Sequence, residues 1–380
     1  MSFFFFTICY PLKLSFRTLS MIAFALALFG VANITYAGQW ISISTAQNHQ
    51  IGGGAYGNGF YVLTTRGSSG VLVSNDSINW DFHNLGYDLL DISFGNGRFV
   101  AVGLNGTVIT SSNGTTWATQ TAFTKVDIQG VTYAEDQFVA VAWDGGIFSS
   151  ADGLTWNIEV SPVTNDLYDV AYGAGLWVAV GSETTIITSL NAIVWTDESD
   201  GHIANVGFHG VGYGNGLWAV VGSPNSNVLS GSGDGTWYPQ TTGFSASHDA
   251  VAYAFGRIWI TSYDGSILSS KDGVSWSSEG SPVSVRLTGI EYLNGKLIAM
   301  GISGEILVYI PDDNLNVGTA IELWIPETDP GEEYQLQISE DLESWTDILD
   351  PIAGDGKEWA GFFTTRDQNK KFFRVKPDAE

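Results

Sequence analysis

The stretch DVAYGAGLWVAVGSETTIITSLNAIVW, residues 169–195, decides the fold. Short runs of apolar and β-branched residues alternate here with tight, polar or glycine-containing turns. Such runs predict three short β-strands and the start of a fourth, which begins at Trp195. The same pattern recurs along most of the chain, so this stretch predicts a repeat protein built from four-stranded units.

Two series of aromatic residues give the repeat its period. Members of the first series end the first strand of each unit and are 38, 39, 39, 41, 40 and 39 residues apart. A period near 40 is typical of β-propeller blades. Seven members predict an all-β, seven-bladed β-propeller over residues 38–310. The first series is Tyr56, Phe94, Tyr133, Tyr172, Tyr213, Tyr253 and Tyr292, and the second, which opens the fourth strand, is Trp40, Trp80, Trp117, Trp156, Trp195, Trp237 and Trp276.

The two ends of the repeat region predict how the ring closes. The seventh unit, Gly289–Ile310, has three strands and lacks the final one with its tryptophan. A lone strand of that type, Gln39–Ile43, precedes the first unit. We expect this strand on the outer edge of the seventh blade, where it hides an open sheet edge.

The turn between the third and fourth strands carries the most specific motif. One copy runs Ser-Ala-Asp-Gly-Leu-Thr-Trp from Ser150 to Trp156. In such a turn Asp or Asn accepts hydrogen bonds from turn amides, and Gly takes the left-handed position. The copy in the fifth unit, Gly233–Trp237, is irregular. The structural Asp or Asn residues of the other copies are Asp76, Asn113, Asp152, Asn191 and Asp272.

This turn resembles the Asp-box, or BNR, repeat of sialidases, of related exported propellers and of the photosystem II assembly factor of oxygenic phototrophs. The turn here is one residue shorter than the usual sialidase form, and the resemblance extends over roughly 39–310. It implies a propeller in which the boxes are structural and lie away from the functional face.

The chain is strongly acidic, with 40 Asp and Glu against 15 Lys and Arg and a formal charge of −25. Removal of residues 1–37, which hold Lys13 and Arg17, leaves 40 against 13, or −27. This field disfavours nucleic acid and anionic lipid as partners, and it favours cations or basic partners.

Residues 1–37 have the pattern of a signal peptide. Lys13 and Arg17 precede an apolar run, Leu19–Val31, and a small-residue cleavage site ends at Ala37. The alternative is an uncleaved membrane anchor, although the run is shorter than the ~20 residues that a span needs. The only cysteine, Cys9, lies in this segment, so the mature chain has no disulfide and no thiol. We expect a secreted, periplasmic or cell-surface protein with no stable membrane insertion after cleavage.

The character of the chain changes after Ile310. Residues 311–318 are predicted to be a linker, and residues 319–380 a small β-sandwich module. This part is similar to C-terminal modules of exported multidomain bacterial proteins. The predicted strands are Ala320–Ile325, Tyr334–Ser339, Trp345–Leu349, Trp359–Thr364 and Lys371–Val375.

In a propeller, the loops between blades (D–A loops) and the loops between the second and third strands (B–C loops) share one face. By analogy this is the functional face. Trp143 and Tyr263 each stand beside an Asp in a B–C loop, which makes them candidates for a ligand-contacting rim. The residues predicted to contact a ligand on this face are Arg66, Trp143, Asp144, Tyr168, Glu183, Tyr263, Asp264 and Arg286.

The sequence predicts no catalytic residues with a recognisable mechanism. Sialidase chemistry needs three arginines around a carboxylate, and only Arg66 and Arg286 fall on the predicted face. Other glycoside cleavage needs two carboxylates about 5–10 Å apart. Asp144 and Asp264 are candidates for such a pair, with Glu183 and Glu305 as further ones, but acidic residues are common in β-turns, and solvated turn residues are the favoured explanation.

Three aspartates suggest a metal site. Asp88, Asp127 and Asp166 lie six residues before the aligned aromatic in consecutive blades, and Asp91 and Asp169 lie three before it. Neighbouring blades bring equivalent positions together, so these carboxylates are candidate ligands for Ca²⁺. The alternative is that each accepts a local backbone hydrogen bond. No zinc-binding spacing is present among the histidines, and no other cofactor is suggested.

These observations favour an exported, non-catalytic binding propeller that recognises a protein or a glycan through the D–A/B–C face. A glycoside hydrolase or lyase that uses acidic residues on that face is the alternative. A third hypothesis is an assembly factor like the photosystem II one, but the acidic charge and the added C-terminal module do not favour it.

Overall fold

The computed structural model describes residues 39–44, 49–67, 69–199, 206–224, 227–233, 236–311 and six strands of the C-terminal part. The predicted signal peptide, residues 1–37, and nearly all of the predicted linker, residues 311–318, lie outside the described residues. Among the described residues, no helix has the length and apolar character that a membrane crossing requires.

The predicted seven-bladed propeller is confirmed. Seven four-stranded antiparallel sheets stand around one axis, and the first strands of consecutive blades are neighbours all the way round. In each blade strand A lies at the axis and strand D at the rim. The strands are β1 (Gln39–Ser44); blade 1, β2 (Gln50–Gly57), β3 (Phe60–Arg66), β4 (Gly70–Ser74), β5 (Asp81–Asn84); blade 2, β6 (Leu89–Gly95), β7 (Arg98–Gly103), β8 (Val108–Ser111), β9 (Ala118–Thr119); blade 3, β10 (Ile128–Ala134), β11 (Gln137–Ala142), β12 (Ile147–Ser150), β13 (Asn157–Ile158); blade 4, β14 (Leu167–Gly173), β15 (Leu176–Gly181), β16 (Ile186–Ser189), β17 (Thr196–Asp197); blade 5, β18 (Gly207–Gly214), β19 (Leu217–Ser223), β20 (Asn227–Gly231), β21 (Trp237–Thr241); blade 6, β22 (His248–Ala254), β23 (Arg257–Ser262), β24 (Ile267–Ser270), β25 (Ser277–Ser278); and blade 7, β26 (Leu287–Leu293), β27 (Lys296–Gly301) and β28 (Glu305–Ile310).

The ring closes as the sequence predicts. Strand β1 pairs antiparallel with β28, in a register that sets Trp40 opposite Tyr309. The indole of Trp40 is only 7% exposed. Its ring centroid lies 5.2 Å from that of Tyr309 and 6.0 Å from that of Trp259 in blade 6. The first strand of the propeller therefore completes the last blade and seals its contact with blade 6.

The aligned aromatic residues explain the glycine that follows most of them. A Cβ on Gly57 would lie 2.1 Å from the ring of Phe94, and a Cβ on Gly95 would lie 2.0 Å from the ring of Tyr133. Four of the seven aromatic rings thus rest on a glycine of the preceding blade, where a side chain would not fit. This contact sets the close approach of neighbouring A strands around the axis.

Every A strand carries a β-bulge at the same level. In blade 2, for example, Leu89 pairs with Gly103 and Asp91 with Val102, which leaves Leu90 as the extra residue. Bulges bend a strand and redirect a side chain. The bulged residues are Leu90, Gln129, Tyr168, His209, Asp249 and Thr288, and in blade 1 Gly52 and Gly53 oppose Thr64.

The Asp-containing turns form the predicted hydrogen bonds. The Asp152 Oδ1 atom accepts hydrogen bonds from the backbone N–H groups of Leu154 and Thr155, both at 2.8 Å. The Ser150 hydroxyl accepts one from the N–H of Gly153 at 2.8 Å. The Oδ1 atoms of Asp76, Asn113, Asn191 and Asp272 accept the equivalent pairs of bonds.

Two copies of the turn, in blades 1 and 4, adopt the same conformation without a glycine. Ser77 and Ala192 take left-handed φ angles of 70° and 62° where three other copies have glycine. The described part of the blade 5 copy omits residues 234 and 235.

The C-terminal strands form two antiparallel sheets, as an all-β module requires. Strand β29 pairs with β33, while β30 pairs with β31, β32 and β34. Five of the six strands were predicted, with every end within two residues of its position here, and the short β32 was not predicted. The strands are β29 (Ala320–Ile325), β30 (Glu333–Ser339), β31 (Thr346–Asp347), β32 (Ile352–Ala353), β33 (Trp359–Thr364) and β34 (Phe372–Pro377).

Replacement of the closing tryptophan is expected to loosen the whole ring. Trp40→Ala removes a buried aromatic from the blade 6–blade 7 contact, and we expect a loss of roughly 3–5 kcal/mol in the free energy of unfolding. Trp143→Ala is the matched control because Trp143 is 42% exposed, and we expect a change within about 0.5 kcal/mol. Urea denaturation of the two variants makes the comparison. Equal losses would contradict closure through Trp40.

Loss of a turn aspartate is expected to have a smaller effect. Asp152→Ala removes the acceptor of two turn amides that water can reach, at a cost of roughly 1 kcal/mol. Asp81, which is exposed on strand β5, supplies the control Asp81→Ala with little change expected. Thermal melts followed by circular dichroism compare the two. A loss at Asp81 as large as at Asp152 would show that the turn bonds contribute nothing specific.

Candidate binding site at the channel mouth

A channel runs along the propeller axis and encloses about 600 Å³. The A strands of all seven blades line it. The bulged residues line it on the side where the A strands begin, which is the side of the D–A loops. The aligned tyrosines lie further along the same strands, towards the A–B turns.

The D–A and B–C loops share a face, as expected, and are hydrogen-bonded to each other. The Asp88 carboxylate accepts bonds from the Gly67 N–H at 2.9 Å and the Ser69 hydroxyl at 3.0 Å. Asp127 accepts one from the N–H of Asn105 at 2.7 Å. Each aspartate therefore ties a D–A loop to the B–C loop of the blade before it.

The same holds for Asp166, whose carboxylate accepts a hydrogen bond from the Asp144 N–H at 3.0 Å. The three aspartates proposed as calcium ligands thus satisfy backbone amides, which is the alternative that the sequence offered. None of them lines the channel. Among the described residues, no three His, Cys, Asp or Glu side chains are placed to hold a metal ion. Calcium binding at Asp88, Asp127 and Asp166 stays a prediction.

Five residues form a cluster at the channel mouth: Tyr168, His209, Asp249, Tyr263 and Arg286. We call them the mouth cluster. The Arg286 guanidinium donates two hydrogen bonds to the Asp249 carboxylate, both at 2.7 Å. It also lies over the Tyr263 ring, 3.8 Å from the ring centroid. The bonds to Asp249 raise the pKa of Arg286 further.

His209 connects the cluster to its neighbours. Its Nδ1 atom lies 3.2 Å from the Tyr263 hydroxyl and 3.4 Å from Asp249 Oδ1. The Tyr168 ring meets the imidazole edge-on, with centroids 5.7 Å apart. Blades 4, 5 and 6 and the loop before blade 7 therefore share one connected aromatic and polar surface on one side of the mouth.

Ser223, His209 and Asp249 follow one another as the serine, histidine and aspartate of a catalytic triad do. His209 Nε2 lies 3.4 Å from the Ser223 hydroxyl, and Nδ1 lies 3.4 Å from Asp249. Both separations exceed the range of about 2.6–3.2 Å that links a nucleophile, a base and its partner. Because the bidentate Arg286 pair already neutralises Asp249, the aspartate has little charge left to stabilise an imidazolium. The arrangement favours a positioning network over nucleophilic catalysis.

Three carboxylates lie inside the channel, below the mouth. Asp91 accepts hydrogen bonds from its neighbour Ile92 N–H and from Val131 N–H of blade 3, both at 2.8 Å. Asp169 bonds in the same way to Val170 and to Val211 of blade 5. These two aspartates therefore link neighbouring A strands. The third carboxylate, Glu291 on β26, also lines the channel.

Enclosure in the channel raises the pKa of all three carboxylates. Burial is the largest cause, and repulsion from a neighbouring carboxylate adds to it for Asp91 and Glu291. It raises the pKa of Asp91 to about 7, with repulsion from Asp169, and the pKa of Asp169 to about 6. The pKa of Glu291 is raised well above its usual value by burial and by repulsion from the two aspartates.

Of the eight predicted ligand-contacting residues, three join the mouth cluster: Tyr168, Tyr263 and Arg286. The others lie on B–C loops around it. Trp143 is exposed, Asp144 and Glu183 take left-handed φ angles in their turns, and the Asp264 carboxylate accepts two bonds from Ser266. Arg66 is exposed at the end of β3.

Sequence reasoning missed Asp249, Glu291 and the place of His209. The bulge explains why Asp249 and His209 were missed. The alternation of side chains along a regular strand would place them on a sheet face, whereas the bulge turns them towards the channel axis. The signal was nevertheless present. Asp249 and His209 both stand four residues before the aligned aromatic, as Tyr168 does.

The channel carboxylates are expected to make the propeller less stable as pH rises. A carboxyl group whose pKa is higher in the folded than in the unfolded chain stabilises the folded state. This contribution is complete below the unfolded pKa near 3.8, and it is lost as the pH rises through the folded pKa. Between pH 5 and pH 8 we expect the free energy of unfolding to fall by an amount on the order of 2 kcal/mol. Urea denaturation at both values measures it.

Asp91→Asn and Asp169→Asn are expected to flatten this pH dependence, whereas the exposed control Asp81→Asn leaves it unchanged. The turn carboxylates act in the opposite direction but at lower pH. Hydrogen bonds from Ser275 and Val274 lower the pKa of Asp272 to about 2, so its contribution is lost only as pH falls from about 4 to 2. Stability that rises from pH 5 to pH 8 would contradict enclosed, repelling carboxylates.

Comparison by sequence finds no matching family model and no matching curated protein. Comparison by structure finds propellers. The structure is similar to YCF48 from Cyanidioschyzon merolae, with a TM-score of 0.60 and 14% identity over 73% of this chain and 99% of that one. The structure of YCF48 bound to D1 peptide is similar with a TM-score of 0.61 and 15% identity, over 72% of this chain and 97% of that one.

A catalytically inactive variant of virginiamycin B lyase from Staphylococcus aureus, solved with quinupristin, gives a TM-score of 0.64. Its identity is 11%, over 72% of this chain and 99% of that one. At such low identities these similarities show the fold alone. The chain is a seven-bladed β-propeller, and its Asp-containing turns do not by themselves assign it to the Asp-box proteins.

Proposed function

We propose that this chain is an exported, non-catalytic binding propeller that recognises a segment of a protein partner at the channel mouth. The observation that carries the proposal is the mouth cluster. It presents aromatic faces, a fixed arginine and an imidazole at one concave place, and these are the chemical groups that dominate protein-recognition sites.

Pre-organisation supports binding at this place. Arg286 is held by two hydrogen bonds and by the Tyr263 ring, so little side-chain freedom remains to be lost when a ligand arrives. A similar fold carries a bound peptide in YCF48 with D1 peptide, so a propeller of this size accommodates such a ligand. For the present chain a protein segment is favoured over a glycan because the cluster combines charged and aromatic groups without a flat stacking platform.

The alternative from the sequence, a glycoside hydrolase or lyase, gains no support from the geometry. Its first candidates, Asp144 and Asp264, lie on blades 3 and 6, which stand three blades apart in a ring of seven. A catalytic pair requires a separation of about 5–10 Å. Export is motivated by the signal-peptide pattern of residues 1–37.

Peptide selection tests the proposal. We expect a random-peptide phage library to yield binders to the full chain. Their affinity, measured by fluorescence anisotropy, should fall about tenfold, or about 1.4 kcal/mol, in Tyr168→Ala and in His209→Ala. Tyr238→Ala is the control, since Tyr238 is 55% exposed on the outer strand β21, and less than a twofold change is expected there.

Two outcomes would overturn the proposal. One is a set of peptides whose affinity depends on Tyr238 and not on the mouth cluster. The other is a glycan array that yields ligands while peptide selection yields none. Turnover in a glycoside hydrolysis screen that Asp144→Asn or Asp264→Asn abolishes would replace binding with catalysis.

A further inference from the structure

A groove with aliphatic walls lies at the rim of the propeller, between blades 3 and 4. It encloses about 360 Å³, and none of the described residues that line it lines the channel. One wall is formed by residues 158–162, which continue the outer strand of blade 3, and the other by residues 193–195, in the turn before the outer strand of blade 4. The walls meet where Val160 and Val194 form a parallel β-bridge.

The aliphatic side chains of this groove are open to solvent. Val160 is 84% exposed and Val194 is 69% exposed, and Ile158 and Ile193 beside them are also exposed. Leu190, in the same turn as Val194, is exposed as well. Single exposed aliphatic residues are ordinary on a protein surface, whereas a contiguous group of them marks an interaction site.

The other blades show that the fold does not require these aliphatic residues. Val160 stands four residues after the aligned tryptophan of its blade, and Val194 stands one residue before that of the next blade. At both positions all the other blades have a polar residue or glycine. The equivalents of Val160 are Ser44, Asn84, Thr121, Ser199, Thr241 and Gly280, and those of Val194 are Gln39, Asn79, Thr116, Thr155, Thr236 and Ser275. The two exceptions to the repeat are thus the two residues that pair with each other across the blade boundary.

Both walls of the groove are held in place by hydrogen bonds. On the blade 3 side the Glu159 N–H donates to the carbonyl oxygen of Ile147 at 2.9 Å. On the blade 4 side the Asn191 Oδ1 atom accepts hydrogen bonds from the N–H groups of Ile193 and Val194, both at 3.0 Å. Ordered walls have little conformational freedom to lose when a partner binds, so the groove is pre-organised.

The side of the ring that holds the groove is acidic in sequence. Between Lys125 and Arg257, a stretch that includes blades 3, 4 and 5, the chain has 14 Asp and Glu and no Lys or Arg. The rest of the propeller, residues 38–125 and 257–310, has 9 Asp and Glu against 7 Lys and Arg. Glu159 itself lines the groove, and Asp197 on the outer strand of blade 4 is exposed. A partner must therefore match aliphatic side chains and negative charge together.

We propose that this groove docks an extended protein segment in which two aliphatic side chains, one residue apart, stand between lysine or arginine residues. In an extended chain residues i and i+2 point to the same side, so both aliphatic side chains enter the groove beside Val160 and Val194. The flexible stems of the flanking basic residues carry their charges to the acidic surface around it. This docking surface is separate from the mouth cluster and does not depend on the proposed function.

The charge of the surface selects this partner over two others. A second copy of the chain docked through the same groove would set two acidic sides against each other, and like charges across an interface repel. An anionic lipid surface is repelled in the same way. A segment with basic residues is instead attracted over long range, and its aliphatic side chains then remove the exposed walls from water.

The probe for this inference is the peptide acetyl-Lys-Lys-Val-Ser-Ile-Lys-Lys-amide, titrated calorimetrically into the full chain. Two matched peptides separate the two contributions. One has serine in place of the valine and the isoleucine, and the other has glutamate in place of the four lysines. We expect the probe to bind at least about tenfold more tightly than either.

A double variant tests the place of binding. Val160→Thr combined with Val194→Thr should weaken the probe about tenfold, because docking then buries two hydroxyl groups in place of methyl groups. These changes reproduce Thr121 and Thr116 of blade 2, so the fold accommodates them. Val274→Thr is the matched control, since Val274 is 52% exposed in the equivalent turn of blade 6. A change of less than about twofold is expected there.

The inference fails if the probe does not bind, or if the serine or the glutamate peptide binds as tightly as the probe. It also fails if Val274→Thr weakens the probe as much as the double variant does. A similar loss in Tyr168→Ala would move the probe to the mouth cluster. Self-association in sedimentation that the double variant abolishes would assign the groove to a second copy, and binding to phosphatidylcholine vesicles that it abolishes would assign the groove to lipid.

Discussion

The structure depends on the closure of the ring by one antiparallel ladder. Strand β1 lies beside β28, and this pairing joins residues that are more than 260 positions apart. Without it blade 7 would expose an unpaired edge, and the contact of Trp40 with Trp259 in blade 6 would be lost. The geometry of the channel requires all seven A strands at equal distance from one axis, so the mouth cluster depends on the same ladder even though it lies far from it in sequence.

The parts of the fold that repeat could be predicted from the sequence. Three features of the sequence depend on contacts within one blade or between two neighbouring blades. They are the aligned aromatics, the Asp-containing turns and the lone Trp40 strand. Tyr253, for example, needs Gly214 beneath its ring. Such contacts recur at a fixed spacing, and for this reason the number of blades and the closing strand followed from residue identities alone.

The site was less accessible to prediction because it depends on departures from the repeat. Alternation along a strand assigns side chains to one sheet face or the other, and it has no place for Asp249, which a bulge redirects towards the axis. The calcium hypothesis grouped Asp88, Asp127 and Asp166 by spacing alone, and spacing does not reveal that their carboxylates accept hydrogen bonds from turn amides. Arg286 and Tyr263 were placed on the correct face, but their pairing through Asp249 required coordinates.

The seven bulges separate two functions that a regular strand combines, namely pairing with its neighbour and presenting side chains to a ligand. A bulged residue takes no part in the ladder of its blade, so its side chain can vary where it does not bond to the next blade. Thr288, Asp249 and the two glycines are fixed: Thr288 donates a hydrogen bond to Ile51 O, Asp249 holds Arg286, and a Cβ on Gly52 or Gly53 would collide with Leu90 or Asp91. The present ring already holds glycine, leucine, glutamine, tyrosine, histidine, aspartate and threonine at these positions. A scaffold of this kind is suited to directed diversification: a library confined to the positions of Leu90, Gln129, Tyr168 and His209 would vary recognition around a single opening while the cylinder beneath it kept its shape.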